Sequence, residues 1–247
     1  MKKHIPNFIT LLNLLSGCIA ILFAVKGNLV MAAVFVAAGI FFDFFDGLAA
    51  RSLNVKSDVG LQLDSLADVV TSGVVPGIVM YQLMSRALLN SGETGRDWTF
   101  SGMEFPFEPV ALIGLFITLA SALRLAKFNV DDRQTDSFIG LPTPANALLI
   151  LSLPLILTFQ PSPWISSLVL NIWVLMGLTV LSCYLLNAEL PLFALKFSDW
   201  AFAKNKMRYF FLIACLVLII LLKFLAIPAI ILLYVLLSAV NTRKERI

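Results

Sequence analysis

The sequence predicts an all-α integral membrane protein of about eight transmembrane helices, on three observations. Hydrophobic residues make up 60% of the 247-residue chain and charged residues 13%, with a mean hydropathy of +0.93, far outside the range of a soluble domain. The apolar residues come in long runs, such as "LVLNIWVLMGLTVLSCYLL", each able to cover the roughly 20 residues that a helix needs to cross about 30 Å of hydrocarbon. The basic residues are divided unevenly between alternate loops.

Taken in order, the runs fall at about 7–26, 29–50, 60–87, 108–128, 143–160, 165–187, 208–223 and 226–241. The first is no cleavable signal, because Asn7, Thr10 and Asn13 punctuate its apolar face and no small-residue cleavage site follows. With eight spans, one side of the bilayer receives Lys2, Lys3, Arg51, Lys56, Arg124, Lys127, Arg133, Lys196, Lys204, Lys206, Arg208, Arg243, Lys244 and Arg246. The other side receives Lys26, Arg86, Arg96 and Lys223. By the positive-inside rule the first side is cytoplasmic, so both termini and the 51–59 loop face the cytoplasm of a multi-pass protein of the inner (cytoplasmic) membrane. The net charge of +3 is therefore a topological signal and does not indicate nucleic acid. Cys18, Cys183 and Cys215 are odd in number and fall within spans, which predicts buried small hydrophobes and no disulfide framework. His4 is the single histidine, too few for a histidine triad or metal site. The 88–107 stretch reads as an outside loop rich in glycine and polar residues, without chemistry.

Against this apolar background, residues 43–68 hold five aspartates, and four of them, Asp43, Asp46, Asp64 and Asp68, lie within the two apolar runs. At about 100° per residue, Asp43, Asp46, Gly47 and Ala50 share one helical stripe, and Gly60, Asp64 and Asp68 share another. The short loop between the runs predicts two acidic stripes facing each other across a hairpin, near one membrane surface. Carboxylates in a bilayer are costly unless paired, and the hairpin supplies only Arg51 and Lys56. Divalent cations are the fitting counter-charge, and hard oxygen donors suit Mg²⁺, Mn²⁺ or Ca²⁺. Two such ions side by side suit phosphoryl chemistry at a pyrophosphate. The small residues Gly47, Ala50 and Gly60 leave room beside the acidic stripe for a ligand.

The stretch Asp43-x2-Asp46-Gly47-x2-Ala50-Arg51-x8-Gly60-x3-Asp64-x3-Asp68 is similar, at every fixed position, to the signature of the CDP-alcohol phosphatidyltransferases. The resemblance implies a six-helix core, here residues 1–190, with residues 191–247 forming an extension of two further spans. It also implies transfer of a phosphatidyl group from a CDP-linked lipid to an alcohol with release of CMP, dependence on two Mg²⁺ or Mn²⁺ ions, and a homodimer. Carried over by residue, it makes Asp43, Asp46 and Asp64 metal ligands, and Asp68 both a metal-site residue and the acceptor of the attacking hydroxyl's proton. Gly47, Arg51 and Ser57 correspond to positions that contact the CDP moiety, with Ala50 and Gly60 beside them. Asn7 and Thr10 resemble an N-x-x-T element near the donor pyrophosphate.

The pieces "SALRLAKFNVDD" (121–132) and "FIGLPTPANA" (138–147) resemble the serine-using branch of this family, which acts on CDP-diacylglycerol and L-serine. Arg124 could meet the serine carboxylate, and Asn129 and Asn146 its ammonium. Glycerol 3-phosphate, inositol phosphate and choline are the alternative acceptors. The phosphorylated ones call for a denser cationic pocket, an option that Arg124, Lys127 and Arg133 leave open. An ion or proton transporter is the rival from another class. It would spread acidic residues over several depths, whereas these four share one end of two adjacent runs.

Overall fold

The computed structural model describes residues 4–55, 57–90, 97–100, 103–106, 108–130, 138–192 and 206–245. Of the basic residues used for orientation, Lys2, Lys3, Lys56, Arg96, Arg133, Lys196, Lys204 and Arg246 lie outside these, as do the side chains of Arg243 and Lys244.

The first two predicted runs form α1 (His4–Val25) and α2 (Leu29–Ser52), joined by a tight turn in which Gly27 takes φ +76°. The Asn28 side chain accepts the Met31 amide at 3.1 Å and starts α2, satisfying a donor that the helix itself leaves free. The third run is a continuous rod of three parts: α3 (Asp58–Asp68), a π-helical turn (Val69–Val74) and α4 (Val75–Asn90). Beyond it the 88–107 region, expected to be an irregular loop, contains a two-stranded antiparallel ribbon, β1 (Asp97–Phe100) with β2 (Met103–Pro106). A 3₁₀ turn (Pro109–Leu115) leads into α5 (Phe116–Val130), and β3 (Phe138–Ile139) precedes α6 (Thr143–Phe159). The sixth run is broken into α7 (Pro163–Val169) and α8 (Ile172–Asn187), which meet at 57°. At the break, Asn171 accepts the Trp173 amide at 2.9 Å and so restarts the helix. β4 (Pro191–Leu192) pairs with β3, and α9 (Lys206–Leu222), a 3₁₀ turn (Lys223–Leu225) and α10 (Ala226–Glu245) complete the chain.

Among the described residues, five helical segments are long and apolar enough to cross a membrane, or six with α7 and α8 taken as one bent span. One of the five, Lys206–Ala239, is not straight: Phe211 on α9 and Tyr234 on α10 pack with ring centroids 5.6 Å apart. At a rise of about 1.5 Å per residue that contact requires the segment to double back. The described residues thus form an all-α membrane architecture of eight rods, one for each apolar run, with two minimal ribbons outside them.

Buried alanines and valine (Ala20, Ala24, Ala32, Val36) let α1 and α2 approach closely, as small residues do where lipid removes most of the hydrophobic drive between helices. Val79, Met80 and Leu83 of α4, Ile150 of α6 and Leu175 of α8 close the same core. The outward surface is apolar, in keeping with lipid around it, and this reverses the expectation for the cysteines: Cys18 is exposed, and Cys183 and Cys215 are partly so. A thiol has no need of the protein interior when its surroundings are already apolar.

Near α6, the Gly140 amide donates to Leu190 O at 3.0 Å and the Leu141 amide to Leu185 O at 2.8 Å, which anchors the start of α6 on the end of α8. Gly140 has φ +74°, and a Cβ there would lie 2.7 Å from Leu186 O. Gly140→Ala is therefore expected to cost about 1–3 kcal/mol. A lowered melting temperature of the detergent-purified protein would show it, and an unchanged one would contradict it.

Candidate active site

On α2, Asp43 and Asp46 stand opposite the exposed rings of Phe41, Phe44 and Phe45. The Phe41 and Phe45 centroids are 4.6 Å apart, so the aromatic band faces outward and turns the aspartates toward the bundle. On α3, Asp64 and Asp68 are one turn apart, and Ser57 starts the helix by accepting the Gly60 amide at 3.0 Å. Asp43, Asp64 and Asp68 each bring one carboxylate oxygen into a group whose members all lie within 4.8 Å of one another. Asp64 Oδ1 is buried and has no hydrogen-bond partner. Asp46, only 6% exposed, stands beside the group with its Oδ2 held by the Thr10 hydroxyl at 2.6 Å.

The expected picture of two stripes meeting directly across a hairpin needs one change. Helices α2 and α3 touch each other little, and each packs instead on α1. The carboxylates bridge the space between α2 and α3, while α1 supplies the hydrogen bonds that hold them: Thr10 to Asp46, and Asn13 Nδ2 to Asp68 Oδ1 at 3.2 Å. Asn13 belongs with the site although its sequence position suggested only polar punctuation. The available signal was its register, since Asn7, Thr10 and Asn13 recur every three residues on one helical face.

A cavity of about 550 Å³ opens beside Asp46 and Asp64 and is lined also by Asn7, Thr10, Gly47, Ala50, Ser57 and Gly60. Its size suits a small-molecule site. Eight residues singled out from the sequence thus share one cavity wall. Arg51 is not on that wall: its guanidinium Nε turns back to donate to Gly47 O at 3.0 Å. Of the three residues expected at the acceptor, Arg124 is 8% exposed, interacts electrostatically with Asp68 and has an unpartnered Nε. Asn146 is fully buried with both side-chain polar atoms unpartnered. Asn129 differs from these, because it exchanges hydrogen bonds of 2.9 and 3.2 Å with Ser65 and ties α5 to α3.

A profile of the CDP-alcohol phosphatidyltransferases matches residues 3–184, which include every helix that carries these side chains. The chain belongs to the CDP-alcohol phosphatidyltransferase family. A CDP-diacylglycerol–serine O-phosphatidyltransferase of Bacillus subtilis (strain 168) is 36% identical over 161 residues, covering 65% of this chain and 78% of that protein. The protein of the same name from Helicobacter pylori (strain J99) is 35% identical over 148 residues, 59% of this chain and 55% of its own length. An archaetidylserine synthase of Methanothermobacter thermautotrophicus is 31% identical over 151 residues, 60% of this chain and 56% of its own length. The chain therefore spans about half the length of the latter two relatives and over three quarters of the first.

Members of this family generally depend on a divalent metal, and the residues present fit one. Three convergent carboxylates, one with an unpartnered buried oxygen, form an all-oxygen donor set of the kind that hard cations prefer. Thr10 fixes the fourth carboxylate beside them, in the way that outer hydrogen bonds orient metal ligands. Thr10→Val keeps the volume and deletes that bond, and is expected to weaken Mn²⁺ binding about 10-fold. Titration of the purified protein with Mn²⁺ would check this, and parental affinity would refute it.

Proposed function

We propose that the protein is a phosphatidylserine synthase, transferring the phosphatidyl group of CDP-diacylglycerol to the hydroxyl of L-serine with release of CMP. The observation that carries the proposal is the convergence of Asp43, Asp64 and Asp68, with Asp64 also lining a cavity whose wall bears Asp46, Gly47, Ala50 and Gly60 of the signature. The names of the relatives support serine as the acceptor. A transporter reading has no support once the chain is in this family.

In this reading Gly47, Ala50 and Gly60 let the nucleotide reach the helix backbones, and Asn7 and Thr10 bound the cavity from α1. Ser57 divides its role between capping α3 and lining the cavity, and Arg51 swings from Gly47 to the CDP moiety. Asp43, Asp46, Asp64 and Asp68 would hold two Mg²⁺ or Mn²⁺ ions, whose charge would offset that of the pyrophosphate and of the departing CMP. Asp68 takes the proton of the serine hydroxyl as its oxygen forms a bond to the β-phosphorus and the bond from that phosphorus to CMP breaks. Arg124 meets the serine carboxylate, and Asn146, whose amide has no protein partner, meets the remaining polar groups. Asn129, already bonded to Ser65, acts by fixing α5 against α3.

The core of residues 1–190 accounts for these parts, and the family match ending at residue 184 supports that boundary. The positive-inside distribution supports a cytoplasmic site in the inner membrane, where water-soluble serine and CMP exchange and the acyl chains stay in lipid. A homodimer follows from the family resemblance.

The test is CMP release by the purified protein from CDP-diacylglycerol and Mn²⁺ with serine, glycerol 3-phosphate, inositol phosphate or choline. Release is expected with serine and is lost in excess EDTA. Release with another acceptor alone would reassign the substrate. Under saturating Mn²⁺, Asp68→Asn should lower turnover by roughly 10² to 10⁴ while donor binding persists. Asp46→Asn should lose donor affinity and turnover together, and identical behaviour of the two variants would end the assignment of Asp68 as base.

A further inference from the structure

Asn13 lies on α1 at the level of Asp68 and is fully buried. Its Nδ2 donates to Asp68 Oδ1 at 3.2 Å, and its Oδ1 has no hydrogen-bond partner. That oxygen instead points at Gly39 of α2, where a Cβ would stand 2.8 Å from it. Reversing the amide would set its carbonyl oxygen against the Asp68 carboxylate, a repulsive arrangement that also forfeits the charge-assisted hydrogen bond. The side chain therefore has one favourable orientation, and the missing Cβ of Gly39 is what gives it space.

The same feature is built from the other side by the π-helical turn that follows Asp68. Thr71 donates to the backbone carbonyl of Asn13 at 3.2 Å. Its side chain fills the notch between α1 and α2, where a Cβ on Gly17 would meet Thr71 Oγ1 at 2.5 Å and one on Gly39 would meet Thr71 Cγ2 at 2.6 Å. Asp68 and Thr71, three residues apart, thus both grip Asn13, one at its side chain and one at its backbone. Single π-helical turns of this kind are frequent at functional sites.

We infer that Asn13 is a positioning residue: clamped by Thr71 and seated against Gly39, it fixes the direction of the Asp68 carboxylate for proton transfer. The inference rests on the reading of Asp68 as the proton acceptor. A carboxylate with a fixed lone-pair direction meets the acceptor hydroxyl without first reorienting, and small misplacements of such groups cost rate heavily. The unpartnered Oδ1 of a buried amide is a cost that packing alone would not call for, since an apolar side chain of the same shape would avoid it.

The test compares the full-length parent with Asn13→Leu, which matches the amide in shape, and with Gly39→Ala, which leaves Asn13 and Asp68 chemically intact. At saturating Mn²⁺ both variants should lose about 10-fold or more in kcat, with KM for CDP-diacylglycerol little changed. Mn²⁺ affinity, read without substrate from the EPR signal of the free ion, should fall in both. A purely structural asparagine would give parental kcat and parental Mn²⁺ affinity per folded molecule, whatever the shift in melting temperature, and that result overturns the inference. If Asn13→Leu does not fold, Gly39→Ala decides: parental kcat in that variant also overturns it. The two readings fail separately. If the parent releases CMP only with another acceptor, the serine assignment falls and the variant-to-parent ratio is measured with that acceptor. If Asp68→Asn retains turnover, the role of Asp68 falls whatever Asn13→Leu does.

Discussion

Four carboxylates at one level of an apolar bundle set the terms for everything around them. Each would be costly to bury alone, so each needs either a hydrogen-bond donor or a cation. The chain supplies donors to two of them from one helix, Thr10 to Asp46 and Asn13 to Asp68. It leaves Asp43 and Asp64 side by side, with a bare buried oxygen on Asp64. An oxygen-rich group only partly satisfied by the protein is a folding liability and, for the same reason, a place where a hard cation gains most. The placement of α1 between the two acidic helices, the small residues on which it rests and the π-helical turn behind Asp68 all serve that one arrangement.

Much of this was legible in the sequence because the governing physics is local or periodic. Eight apolar runs gave eight rods with ends displaced by only a few residues, since the length of a span is set by the hydrocarbon. The grouping of Asp43, Asp64 and Asp68 followed from helical spacing and a short connection. What escaped was the third helix. Pairing between α1 and the acidic helices is a tertiary contact that no spacing within 43–68 encodes, and Asn13 looked like one more polar interruption of an apolar run. The 57° break before α8 and the ribbon at 97–106 escaped for a related reason: short caps and turns such as that of Asn171 decide them, and a hydropathy window averages those away.

The residues expected around the acceptor show where reading by residue type reaches its limit. Arg124, Asn129 and Asn146 were chosen as a cation and two amides in stretches that resemble the serine-using branch, and by type the two asparagines are equivalent. Their surroundings separate them. Asn129 has a full partner in Ser65, whereas Asn146 is fully buried with no partner for either side-chain amide atom. A satisfied amide stiffens the scaffold, and an unsatisfied buried one keeps its hydrogen-bonding capacity for a ligand, so the structure ranks two residues that the sequence could not.

The C-terminal hairpin can be placed in the same terms. It packs on α6 and β4. There Ile231 of α10 packs with Leu149 of α6, Leu185 of α8 and Leu192 of β4. At the tip of the hairpin, Gln160 accepts the Leu225 amide at 3.2 Å and donates to Leu222 O at 3.1 Å, tying the turn between α9 and α10 to the end of α6. Helix α6, at 17 residues, is short for a span and carries a proline in its interior, so it has little stiffness of its own. Support at both ends from the hairpin and from the Gly140 junction with α8 compensates for that, and it holds Asn146, at the start of α6, in a fixed place relative to Arg124 on α5. The hairpin thus braces the helix that carries Asn146.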